Sequence, residues 1–139
     1  MRLSKVICLA LLASMPFAAF AARSSSVALD GGSALPGQTV TINGDKLYEN
    51  VFYNVRCVLR MKSNSGETSS HIQIKQRNGS AQINVNYYPV GENGQSIITP
   101  NTDNDLYITG FKDYGSLEVR NLDRDNTLTV SDCIATPRE

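Results

Sequence analysis

The sequence predicts an all-β fold, an antiparallel β-sandwich of about eight short strands with a jelly-roll-like or immunoglobulin-like outline. Three features carry that expectation. Apolar residues alternate with polar ones at period two along most of the chain, the pattern of half-buried strands. No stretch after the N-terminal segment sustains the i, i+3, i+4, i+7 spacing of an amphipathic helix. Turn residues break the alternation at short intervals, as in a sandwich or barrel.

The first segment stands apart. Met1 to Ala21 carries Arg2 and Lys5 before a mostly apolar run from Val6 to Ala22, with Ala19 and Ala21 at the positions of a small-residue cleavage site. It reads as a cleaved secretory signal peptide spanning 1–21, with one β-sandwich domain over 22–139. The Ala-rich leader has a bacterial character. Cys8 lacks the lipobox of an acylated cysteine, and the run is too short to cross a bilayer comfortably, so no integral membrane segment is expected after cleavage.

Two weak strands, Val27 to Asp30 and Gln38 to Asn43, flank a turn at Leu35-Pro36-Gly37. A strong strand over Val51 to Lys62 puts Tyr53, Val55, Cys57, Leu59 and Met61 on one face. Asn78-Gly79 is the favoured pair for a type I′ turn. It predicts a hairpin in which Ile74 opposes Ile83 and Ile72 opposes Val85. The other face would match Gln73 with Asn84 and His71 with Asn86. Leu106 to Phe111, Ser116 to Leu122 and Thr127 to Cys133 read as a meander. Cys133 falls out of phase with Leu128 and Val130, which calls for a bulge or a bridge just past the strand end.

Cleavage after residue 21 removes one of three cysteines and two cations, leaving Cys57, Cys133 and a net charge of −2. In an exported protein two cysteines imply one disulfide, Cys57–Cys133. The near-balanced charge gives no electrostatic case for nucleic acid. Immunoglobulin marks are missing: no Trp follows Cys57, and no Tyr precedes Cys133 by two residues.

Catalytic chemistry finds few candidates. His71 is the one histidine of the chain, and the expected register sets it on a polar sheet face. No G-x-S-x-G elbow occurs. Glu67, Glu92 and Glu118 sit in different loops and strands, against the paired carboxylates of a glycosidase. The expectation is a protein that is not an enzyme and needs no cofactor. In Asn101-Thr102-Asp103-Asn104-Asp105, alternate oxygen donors make Asp103 and Asp105 candidate calcium ligands. Ordinary turn chemistry is the competing reading. Tyr53 and Tyr87 are expected in the core, while Tyr48, Tyr88 and Tyr114 fall near strand ends or loops, where a ring can meet a partner.

The function these features favour is a small exported non-catalytic interaction or structural module. It would act in the periplasm or outside the cell on another envelope or extracellular protein. The alternatives are a carbohydrate- or calcium-dependent ligand-binding domain, or an inhibitor of an exported enzyme.

Overall fold

A computed structural model describes residues 25–138. The expected signal peptide lies outside the described residues. Period-two burial runs through the long strands, so that Tyr53, Val55, Cys57, Leu59 and Met61 all point inward from one strand. Residues that alternate in this way need a second apolar layer to cover them, and two antiparallel sheets supply it. No helix occurs among the described residues, and hence none long and apolar enough to cross a membrane.

The strands are β1 (Val27–Leu29), β2 (Gly32–Ala34), β3 (Thr39–Asn43), β4 (Tyr53–Lys62), β5 (Ser70–Asn78) and β6 (Gln82–Val85). They continue with β7 (Tyr88–Pro89), β8 (Gly94–Ile98), β9 (Asn104–Phe111), β10 (Ser116–Asn121) and β11 (Thr127–Pro137). One sheet has the order β1-β11-β4-β9-β6-β7, with β2 also on β11; the other is β3-β10-β5-β8. Counting β1 and β2 as one interrupted strand, and β6–β7 as an insertion, eight strands remain. The first sheet then runs first, last, third, sixth, and the second runs second, seventh, fourth, fifth. That is jelly-roll order, which decides between the two expected outlines.

The turn at Pro36-Gly37 forms as its residues require. Gln38 N–H donates to Leu35 O at 2.9 Å, and Gly37 adopts a φ of 82°. Pro presets the first corner of such a turn and Gly accepts the positive φ at the second.

Several expected pairings do not form. The β5–β6 hairpin is replaced by a crossover: β5 pairs with β10 and β8 in one sheet, and β6 with β9 and β7 in the other. Ile72, Ile74, Ile83 and Val85 are all buried, but they enter the core from opposite layers. His71 lies beside Ile97, and Gln73 lies between Gln95 and Arg120. At the corner the register slips beside Arg77, and the Gln76 amide bonds both Ala81 N–H (2.8 Å) and Ala81 O (3.1 Å). Gly79 takes a φ of 95°. A glutamine side chain therefore replaces the backbone pairing that a hairpin would have made.

The expected meander is likewise divided, because β10 lies in the opposite sheet from β9 and β11. The type I′ signature belongs to β6–β7, where Asn86 (φ 48°) and Tyr87 (φ 71°) form a two-residue loop between paired Val85 and Tyr88. Tyr87 is thereby turned out to 82% exposure, not into the core as expected.

The expected bulge is present. The β11–β4 register shifts between Ser131 and Ile134, with Asp132 at a φ of 52°. One extra residue reverses the parity, so Leu128 and Val130 before it and Cys133 and Ala135 after it all face the core. The strand continues to Pro137, four residues past Cys133. Cys57 and Cys133 form the expected disulfide, joining neighbouring strands of one sheet.

Candidate functional site

The expected calcium ligands stand at the entry to β9. Asp103 accepts from Arg60 Nη1 at 2.7 Å, and Asp105 accepts from Arg56 Nε at 3.0 Å. The Arg56 guanidinium also lies 4.7 Å above the Tyr107 ring. Asn104, between the two carboxylates, is buried and donates through Nδ2 to the carbonyls of Leu59, Thr99 and Thr102. The two aspartates thus meet separate arginines. Among the described residues, no group of three or more His, Cys, Asp or Glu side chains is placed to hold a metal ion. His71 is exposed on β5.

A different constellation forms at the end of the sandwich where β3 and β9 finish. The β3–β4 loop is anchored by buried Leu47, whose N–H donates to Gly44 O at 2.9 Å. Tyr48 N–H reaches the hydroxyl of core residue Tyr53 at 3.2 Å, which leaves the Tyr48 ring exposed. The β9–β10 loop is tied alongside by Gly44 N–H to Gly115 O at 3.0 Å and Gly115 N–H to Lys112 O at 2.8 Å. Between the loops, Lys112 Nζ lies 4.5 Å from the centroid of Phe52 and 5.5 Å from that of Tyr114. Both rings are half exposed.

An ammonium over an aromatic face is attracted by the ring quadrupole, about 0.5–1 kcal/mol at an exposed site. Two rings sharing one ammonium are therefore biased toward this arrangement before any partner arrives. The Phe52 main chain is tied as well, its carbonyl accepting from Arg138 N–H at 2.8 Å. The crevice between Phe52, Gly110, Lys112 and Tyr114 holds about 20 Å³. That is room for one water, so the space between the two rings is not a ligand cavity, while Tyr114 also borders an open groove of about 720 Å³ beside Asn43, Asp45 and Arg77.

Comparison with protein-family models, curated proteins and solved structures finds no match to this chain.

Of the three tyrosines expected to be available to a partner, Tyr48 and Tyr114 share this end of the molecule. Tyr88 does not. It sits on β7 beside Val85, level with Leu106 and well along the sheet from Phe111, with exposed Tyr87 next to it. Sequence reading missed Phe52 and Lys112. The signal for Phe52 was its parity: with Tyr53 and Val55 inward, Phe52 shares the outward phase of Asn54 and Arg56, and a large ring there has no core to enter. Lys112 gave no signal, because its place between two rings depends on loops brought together by the fold.

Proposed function

We propose that this chain is a small exported, non-catalytic β-sandwich module that binds another envelope or extracellular protein through its Phe52–Lys112–Tyr114 end. The observation that carries the reading is the pair of exposed rings braced on a shared cation, on loops that rest on a rigid disulfide-bonded scaffold. Loops on a rigid scaffold are the usual home of binding function. Exposed aromatic side chains with little freedom left to lose are effective anchors of protein interfaces. The leader-like N-terminal segment and the disulfide support export to an oxidising compartment.

The test is copurification from the host cell after mild crosslinking, using a tag at the C-terminus. Wild-type protein and a Phe52→Ala/Tyr114→Ala variant are compared. The expected result is a stoichiometric protein partner with wild type, reduced at least tenfold in the double variant, as loss of about 1.4 kcal/mol or more would require. Recovery of the wild type with no partner, or equal recovery with both proteins, overturns the proposal.

A further inference from the structure

A strand at the border of a sheet leaves every second residue's N–H and C=O turned away from its neighbour, and such edges are usually blunted. Two of the four edges here are, and a third offers a shorter outward row than the fourth. The β1–β2 edge is interrupted at Asp30-Gly31, where Asp30 pairs with Lys46 at 2.9 Å. Edge strand β7 has two residues and ends in Pro89. On β8 the outward backbone groups reduce to Gln95 and Ile97, because Asn93 is left-handed (φ 53°) and Thr99 N–H is taken by Asn104 Oδ1 at 3.0 Å.

The β3 edge carries no such device. Thr39-Val40-Thr41-Ile42-Asn43 has no charge and no proline, and its register with β10 runs unbroken from Asn43↔Ser116 to Thr39↔Arg120. Asn121 N–H donates to Gln38 O and Gly44 N–H donates to Gly115 O, so the even-numbered residues bond to β10. The backbone groups of Thr39, Thr41 and Asn43 therefore point outward, and these three residues are exposed.

We propose that β3 pairs antiparallel with β3 of a second copy of this chain, about a two-fold axis at Thr41. Thr41 then exchanges two N–H···O=C bonds with its own equivalent, and Thr39 faces Asn43 of the other copy at both ends. The ladder adds six backbone hydrogen bonds and merges two four-stranded sheets into one of eight. The row fits itself: hydroxyl meets hydroxyl and hydroxyl meets amide, with no like charges opposed. Glu118 stands opposite Thr41 on β10, so the two copies of Glu118 lie about three strand spacings apart, ~14 Å, beyond the screening length at physiological salt. The contact is isologous and closes at two chains. One five-residue ladder is smaller than a standard interface, which sets dissociation at roughly micromolar or weaker. This surface adjoins the aromatic end, since Asn43 and Tyr114 line one groove, but the ladder uses β3 backbone groups and neither ring.

The experiment is analytical ultracentrifugation of the protein as purified, from ~5 μM to ~1 mM, on wild type, Thr41→Lys, Thr41→Glu and an equimolar mixture of the two variants. Position 41 is exposed, so each variant keeps its fold, checked by thermal melting. Wild type is expected to dimerise with concentration. Each variant alone is expected to dissociate at least tenfold more readily, through like charge at the axis, and the mixture to recover the dimer. A wild type that stays monomeric, as it would if a foreign strand were the natural occupant, overturns the proposal. So does a Thr41→Lys protein that dimerises like wild type. Phe52→Ala/Tyr114→Ala is expected to dimerise unchanged, which separates this contact from the aromatic end.

Discussion

Asparagine and aspartate do much of the joining that short loops leave undone. Asn101 receives Ser63 N–H and donates to Ser63 O, as a neighbouring strand would. Buried Asn121 donates to the carbonyls of Ala34 and Asn126. Asp123 extends that network: burial raises its pKa, but the Ser70 hydroxyl at 2.6 Å and the donors of Asp125 and Asn126 outweigh it and lower the value to about 2. A depressed carboxyl pKa contributes stability that is full above about pH 4 and is lost as pH falls toward 2. Asp123 is partly exposed, so the contribution is on the order of 1 kcal/mol after screening. Urea unfolding at pH 5 and pH 2 is expected to show a larger acid loss in wild type than in Asp123→Asn, by about that amount. Equal losses would assign the acid response to other carboxylates. The sequence marked Asn101 to Asp105 as a polar segment open to turn chemistry. That buried Asn104 and Asn121 would turn inward was not legible, since beside nearby loop carbonyls each serves one from a distant strand, Leu59 and Ala34.

At the scale of strands, alternation fixes which side chains face the core but not which strand lies alongside. Ile72, Ile74, Ile83 and Val85 satisfy the same inward pattern as neighbours in one sheet or as opposed layers, and the protein uses the second arrangement. β8 escaped notice because Gly94-Gln95-Ser96-Ile97-Ile98 has little alternation and leaves Ile97 exposed. The crossover makes a sharp distinction between two substitutions. In a type I′ hairpin Asn78 would be the sensitive residue, whereas here Gln76 holds the corner and Asn78 has no positive φ. Gln76→Ala is expected to cost about 1–2 kcal/mol, because both polar groups of Ala81 lose their partner. Asn78→Ala should stay within about 0.5 kcal/mol of wild type. Chemical denaturation of the two variants measures both numbers, and the reverse ranking would restore the hairpin.

For the molecule as a whole, chain order and spatial order conflict. β11 is last in sequence yet central in its sheet, bonded to β1 and β2 on one side and β4 on the other. The core therefore stays open until the C-terminal strand arrives, and topologies dominated by such distant pairings fold slowly. The disulfide acts on this step. It ties β11 to β4 across a sequence separation of 76 residues, and loop-closure entropy for that span is about 4–5 kcal/mol. That rivals the total stability of many small domains, about 5–15 kcal/mol. A Cys57→Ala/Cys133→Ala variant is expected to lose about 4 kcal/mol in urea, a midpoint shift of roughly 2 M for a typical slope. Kinetics identify the cause. If the bridge works by confining the unfolded chain so that β11 starts close to β4, the loss falls on the refolding rate, and unfolding changes little. Stopped-flow refolding of the oxidised protein should then outpace the variant by at least tenfold. Equal refolding rates with faster unfolding would place the effect in the packed core around Cys57 and Cys133 instead.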